Sequence, residues 1–327
     1  MKSSVLKIIN PGLLTTIQKS PEQEFPDRTI TKSGAFDRFA IKMGNLILKN
    51  KADSAGIELT GEGGELEIMN PVTIAVTGGN FDVRRNGKQV QQWCALSVCK
   101  GDTISVLASR FGWRCYICVA GGVKERPTPG KRPVRSKNEN DRSWHPLKKG
   151  DVLTTETSVA FLTELMGRRV REMVLPRLEG ERELRIVPLP LYDLLKDESK
   201  EVFLSSSYRV SSDSDRVYYR FEGPQLLLKE KASRGSGYGW ENLVANDEDS
   251  PGLIQVALDG EILCTGPDCL TESDRIPIAR LIASDMDRVA QLKPKDHIKF
   301  KVVTSEDARL IFDHSMSLIT EANILSM

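Results

Sequence analysis

Val72-Thr73-Ile74-Ala75-Val76-Thr77-Gly78-Gly79, followed by Phe81-Asp82-Val83-Arg84 and Asn86-Gly87, decides the fold class of this sequence. The first run is apolar and β-branched over the length of a buried strand, the next four residues alternate, and Asn-Gly is a strong hairpin turn. The same all-β grammar recurs outward. Residues 5–9, 13–18, 113–120, 183–188, 226–228 and 278–283 read as strands. Residues 57–60 and 65–68 read as a hairpin about Gly61-Glu62-Gly63-Gly64, and 253–258 with 261–264 as a second about Asp259-Gly260. Lys100-Gly101-Asp102, Lys149-Gly150-Asp151 and Lys295-Asp296 are polar turns that each feed a strand. Their unequal spacing argues for a duplicated β architecture rather than a solenoid.

Helices are few. Ser33 is a candidate N-cap before Phe36, Phe39, Ala40, Met43, Leu46 and Ile47, which share a helical face. Asp285 is expected to cap a short helix over 286–292, and residues 305–325 place Ala308, Ile311, Phe312, Leu318, Ile319 and Ala322 on one face that should dock onto the body. Residues 19–31, 124–145 and 232–249 read as polar loops, and 156–180 holds a linker between halves. At 327 residues the chain exceeds the roughly 250–300 at which single cores stop growing, so two domains are expected. The expected boundaries are 1–165 and 183–304, with a linker at 166–182 and a C-terminal helix at 305–327.

With 46 basic against 45 acidic residues, bulk charge points to no nucleic acid or other polyanion. No apolar segment of signal-peptide or membrane-spanning length precedes Pro11-Gly12, so a cytoplasmic protein with reduced thiols and no membrane association is expected. Cys115 and Cys118 are three apart on a strand and face opposite sides, which suits buried core cysteines better than a metal or redox pair. His145, His297 and His314 are scattered without ligand spacing, so no metal site is expected. Gly61–Gly64 is followed by neither Lys-Ser/Thr nor a helix and is no phosphate loop.

The chemistry-bearing stretch is 211–224, where Ser214, Asp215, Arg216, Tyr219 and Arg220 crowd a segment between strand-like runs. Ser33 to Arg38 repeats the Ser-x-x-x-Asp-Arg spacing of Ser211 to Arg216, as if two related halves each supplied one wall of a cleft. Asp37 reads either as a first-turn carboxylate favoured by the helix dipole or as a side chain presented to a ligand. Arg216 offers a planar fork for a carboxylate or phosphate, with Asp215 holding it or acting as a base; a structural Asp–Arg pair closing a strand end is the alternative.

Pro11-Gly12-Leu13-Leu14-Thr15-Thr16-Ile17-Gln18, Ser33-Gly34-Ala35-Phe36-Asp37, Glu58-Leu59-Thr60, Thr77-Gly78, Ala120-Gly121-Gly122, Ser214-Asp215-Arg216 with Tyr219-Arg220 and Glu222-Gly223-Pro224, Ile254-Gln255-Val256 with Asp259-Gly260, and Ala290-Gln291 occur in family order. Together, over roughly residues 5–303, they resemble the KipA/PxpC family, the biotin-dependent carboxyltransferase-like proteins also called allophanate hydrolase subunit 2. The resemblance implies a mainly β protein of two related cyclophilin-like barrel domains with a cleft between them. It implies one component of an ATP-dependent 5-oxoprolinase, or of a related carboxyltransferase, acting on a small lactam or amide. A KipI/PxpB-type partner and a LamB/YcsF-type third component go with that reading, as does ATP with magnesium at the level of the complex; biotin is a further family cofactor that nothing in the sequence supports. The alternative is a regulatory or scaffold subunit that kept the partner surface and lost turnover.

By position, the resemblance makes Asp37, Asp215 and Arg216 the catalytic candidates. Ser33, Thr77, Gly78, Ser214, Tyr219, Arg220 and Gln255 become the substrate-binding ones. The chain departs from the family at Lys19-Ser20-Pro21, at Tyr218, at Asn138-Glu139-Asn140-Asp141 and above all at 268–276, which keeps Asp268 and Thr271 but loses two glycines and an arginine.

Overall fold

The computed structural model describes residues 4–20, 34–124, 146–155, 163–229, 250–269 and 275–326. The chain divides into two units: Met1–Glu22 with Asp37–Glu179 and Ser317–Met327, and Gln23–Phe36 with Gly180–Met316. Against the expected boundaries, residues 34–36 sit with the second unit, 166–179 belong to the first rather than to a linker, and the end of the chain returns to the first unit. The physical reason is where the apolar and charged side chains are satisfied. Phe36 is buried in the second core, edge-on to Tyr219 at 5.6 Å, while Arg168 holds Glu321 in the first unit.

In the first unit, β1 (Ser4–Pro11), β2 (Leu14–Gln18), α1 (Arg38–Ile47), β3 (Gly56–Thr60), β4 (Gly64–Ile68), β5 (Val72–Arg85), β6 (Lys88–Gln89), β7 (Ala95–Val98), β8 (Thr103–Val119) and β9 (Val152–Thr154) follow in order. The strands form one sheet along the path β2-β3-β8-β4-β1-β9, with β5 laid antiparallel along β8. The expected hairpin at Gly61–Gly64 does not form. Both β3 and β4 pair with the long β8, at Arg114–Ile117 and Thr103–Val106 respectively. The glycines make a jog, in which the Gly61 and Gly63 amides donate to Trp113 and Val106 carbonyls; the long β8 offers more pairing than a local turn. Likewise the two segments around Gly78 are one strand, carried through by register shifts between Gly78 and Val83. The Asn86-Gly87 turn forms as expected, with both φ angles positive.

The alternate β8 residues Cys115, Ile117 and Val119 join Leu6, Ile8, Ile57, Ile74 and Val83 in the core of this unit. Tyr116 and Cys118, one step out of phase, face α1. All six cysteines are free, with Cys115, Cys118, Cys264 and Cys269 buried. Burial pushes the Cys118 thiol up to about 12 and those of Cys115 and Cys264 up as well. A thiol reagent applied to the native protein should therefore titrate Cys99 first and Cys94 next, and reach the other four only in denaturant. Reaction of a third thiol before unfolding overturns this assignment.

After β10 (Arg169–Val170) the chain enters the second unit. Its elements are β11 (Arg182–Pro188), α2 (Asp197–Ser205), β12 (Tyr208–Val210), β13 (Tyr218–Glu222), β14 (Leu253–Ala257), β15 (Ile262–Thr265), β16 (Arg275–Leu281), α3 (Met286–Ala290), β17 (His297–Val302) and α4 (Ser305–Ser317). Seven strands close into a barrel in the order β11-β16-β14-β15-β13-β12-β17, antiparallel except where β17 meets β11. Every second residue points inward: Leu184 and Ile186, Tyr219 and Phe221, Ile254 and Val256, Ile298 and Phe300. Phe203 of α2 packs on Phe300 at 4.6 Å, and Phe221 meets Phe300 edge-on at 5.5 Å. The two-domain, mainly β expectation is met by this barrel and the curled first sheet.

Three local corrections follow from partners outside each segment. Leu228 makes an isolated bridge to Leu195 instead of a strand over 226–228. Asp285 makes no side-chain cap to α3, because its carboxylate takes the backbone and guanidinium of Arg185. The terminal segment is helical only to Ser317; β18 (Ile324–Leu325) then pairs with β10. The three polar turns share one geometry: the Asp carboxylates of 102, 151 and 296 accept from the backbone N–H three residues earlier, and their own N–H groups bond that residue's carbonyl. Among the described residues no helix is long and apolar enough to cross a membrane. The loop expected over 232–249, and all of the one expected over 124–145 except Lys124, lie outside the described residues.

Candidate functional site

Ser33 lies outside the described residues, and the helix it was expected to cap begins later. Asp37 is the N-cap of α1: its Oδ1 accepts from the Ala40 amide at 2.8 Å, and the side chain is buried. Phe36 is absent from the helical face because the second unit buries it. Beneath Asp37 lies a polar group that sequence reasoning did not assemble. The Asp37 N–H donates to the Tyr116 hydroxyl at 2.7 Å, and that hydroxyl donates to Glu58 Oε2 at 2.7 Å. Arg114 Nε stands 3.5 Å from Glu58 Oε1, with both side chains 1% exposed. Burial, then the carboxylates of Glu58 and Asp37, push the Tyr116 phenol well above its usual value, so it stays a proton donor to Glu58. A signal for this group existed in the sequence. Arg114 and Tyr116 share one face of a strand otherwise apolar, and buried polar groups require partners.

Thr77 and Gly78 meet the same helix and strand. The Thr77 hydroxyl donates to the Ala40 carbonyl at 2.7 Å. Gly78 has φ +102°, and a Cβ there would lie 2.4 Å from the Arg114 carbonyl oxygen, so the backbone approach itself requires glycine.

In the second unit the candidates around 214–220 are tied into the barrel rim. Arg216, 2% exposed, directs its fork at Asp268, with Nε to Oδ2 at 2.7 Å and Nη2 to Oδ1 at 3.3 Å, and donates to the Gly34 carbonyl at 2.8 Å. The alternative of a structural Asp–Arg pair is therefore realised, with Asp268 rather than Asp215 as partner. Asp215 is exposed; its Oδ1 accepts from the Val217 and Tyr218 amides at 2.7 and 2.9 Å, which closes a turn. The Ser214 hydroxyl accepts from the Arg220 amide at 3.0 Å. Arg220 pairs with Glu261 at 2.9 Å, both side chains about one-third exposed. Tyr219 points into the core, its hydroxyl donating to the Leu292 carbonyl. Gln255 is buried on the opposite face of β14 from Ile254 and Val256, and its Oε1 has no partner among the described residues. Asp268 and Glu261 are the polar partners that sequence reasoning missed here.

Replacing Asp215 by Ala should cost about 1 kcal/mol, the usual value of a side-chain cap on backbone N–H groups, while Asp215→Asn should keep the turn. Urea unfolding of the two variants measures the difference, and equal stabilities would remove the turn assignment.

Comparison with known proteins places the chain in a family. It belongs to the carboxyltransferase domain family, subdomains A and B, whose model matches residues 28–302. Among individual relatives, the C subunit of 5-oxoprolinase from Escherichia coli (strain K12) is 28% identical over 305 residues, 93% of each chain. Urea amidolyase of Saccharomyces cerevisiae is 26% identical over 318 residues, which cover 94% of this chain and 17% of that protein. The crystal structure of the K. lactis urea amidolyase superposes with a TM-score of 0.80 at 24% identity, covering 99% of this chain and 21% of that one, a likeness of fold.

Proposed function

We propose that this chain takes the place of the C subunit in an ATP-dependent 5-oxoprolinase, or serves a related carboxyltransferase or amide-hydrolysing complex, acting on a small lactam or amide. The observation that carries the reading is the match to the Escherichia coli 5-oxoprolinase protein over 93% of both chains; the urea amidolyase match spans too little of that protein to transfer its activity. In this reading Asp37, favoured as a carboxylate by the N-terminus of α1, polarises or deprotonates the substrate amide. Asp215 is anchored through Oδ1, and its Oδ2 makes no hydrogen bond among the described residues, so within the second unit it is the carboxylate open to a ligand. Arg220, paired with Glu261 through Nη1 and partly exposed, is the second unit's candidate for a ligand carboxylate. Arg216 holds the framework.

Among the described residues the glycine run does not form a phosphate loop. Gly61–Gly64 runs from strand to strand, and no group of three metal-ligating side chains occurs among the described residues. In the proposed complex, which also holds a KipI/PxpB-like and a LamB/YcsF-like component, ATP and magnesium are needed at the level of the whole assembly, and the protein is cytoplasmic. A second reading, a scaffold subunit without turnover, is favoured by one observation: the Arg216 fork and the Ser214 hydroxyl are taken up by internal bonds. The test is purification with both components followed by ATP hydrolysis dependent on 5-oxoproline. Turnover supports the enzyme; a stable complete complex without turnover overturns it for this substrate and leaves the scaffold.

A further inference from the structure

Three polar side chains from distant parts of the sequence form one row across the sheet. Glu58 of β3 is directly opposite Tyr116 of β8 in the strand register, and Tyr116 is directly opposite Thr77 of β5. All three act on the first turn of α1. Tyr116 takes the Asp37 N–H, Glu58 holds the Tyr116 hydroxyl, and Thr77 takes the Ala40 carbonyl. The neighbouring row, Cys118 and Ala75, is small. There α1 comes so close that a Cβ on Gly44 would sit 2.6 Å from Cys118 Sγ. The spacing matches because two residues of strand rise about 6.6 Å and four of helix about 6 Å. One polar row thus fixes the start of the helix, and one small row fixes its distance.

We infer that Tyr116, Glu58 and Thr77 are positioning residues for Asp37. The inference rests on the reading that Asp37 acts on the substrate, and it deepens that reading. Asp37 is buried and its N–H precedes the helix, so no intrahelical acceptor exists for it; a buried amide requires one. The phenol that supplies it stands on a strand paired on both sides and cannot drift. Glu58 in turn fixes the direction of the phenol, and Arg114 beside it offsets its charge. The carboxylate of Asp37 is therefore oriented by two bonds, its own Oδ1 to Ala40 and its backbone to Tyr116, with Thr77 steadying Ala40 from the other side.

The test combines amide hydrogen exchange on the whole chain with kinetics of the reconstituted complex. In the wild type the Asp37 amide should be protected although it lies ahead of the helix. In Tyr116→Phe, amides 37–41 should exchange about 10-fold faster with the rest of the sheet unchanged. kcat should fall by about 10- to 100-fold with KM for 5-oxoproline within about twofold, the pattern of a displaced catalytic group. Thr77→Val should reproduce a smaller part of both effects, and Thr77→Ser, which keeps the hydroxyl, should restore protection. An unprotected Asp37 amide in the wild type, or a Tyr116→Phe chain with unchanged exchange and kcat, overturns the proposal. If the complete wild-type complex shows no 5-oxoproline turnover, the functional reading fails while the exchange results still decide the role of the row.

Discussion

Asp37→Asn should lower 5-oxoproline-dependent ATP hydrolysis by the assembled complex at least about 100-fold and leave the stability of the chain almost unchanged. Asparagine and aspartate cap helices about equally well, so the bond from the Ala40 amide can pass from a carboxylate oxygen to an amide oxygen of the same geometry. What the substitution removes is the negative charge and the basicity. A positioned acid or base contributes typically about 10²- to 10⁴-fold, and an amide side chain can neither take nor return a proton. Asp37→Ala separates the two roles: it loses the charge and also the cap, adding about 1 kcal/mol of destabilisation. The measurement is a coupled ATP assay on complexes purified with each variant, with thermal melting alongside. Turnover of Asp37→Asn within about threefold of the wild type would remove Asp37 from the chemistry and return it to a capping role alone.

The sequence echo between Ser33–Arg38 and Ser211–Arg216 has a physical counterpart. In both, the aspartate accepts from the amide three residues on, Ala40 in one case and Tyr218 in the other. That much was legible because an Asp at a turn or helix start satisfies nearby N–H groups by local geometry. The barrel strands were legible too, since Glu183-Leu184-Arg185-Ile186 and His297-Ile298-Lys299-Phe300 alternate with the pleat. Tyr219 could have been assigned inward by the same rule, since it shares a face with Phe221. What local pattern does not carry is long-range pairing. Gly61–Gly64 has the composition of a hairpin turn, yet its flanking strands are claimed by the distant β8. The Glu58–Tyr116–Thr77 row exists only once three strands are in register. Asp268 lies 52 residues from Arg216, and nothing in either segment names the other.

That ion pair carries the largest stability effect expected. Arg216 and Asp268 have side chains only 2% and 6% exposed, so both charges are out of water and face each other at 2.7 Å. Breaking a buried ion pair by removing one partner typically costs about 3–5 kcal/mol. Arg216→Met or Asp268→Leu alone should therefore lower the melting temperature by on the order of 10 °C. Relief by relaxation is closed off locally. Gly266 packs against the Arg216 backbone so tightly that a Cβ would lie 2.1 Å from its carbonyl oxygen, and the Asp268 amide bonds that same oxygen at 3.1 Å. The double variant Arg216→Met/Asp268→Leu should recover most of the loss, because an apolar pair of similar volume pays no desolvation. Recovery should stop about 1–2 kcal/mol short, since the Gly34 carbonyl still lacks the donor that Arg216 gave it. Urea unfolding of the four proteins gives the coupling directly. Single variants as stable as the wild type would show that water reaches the pair, whereas a double variant no better than the singles would assign the cost to lost packing instead of orphaned charge. In either case Arg216 acts through the backbone it holds, which is why its substitution should be read first as stability and only then as activity.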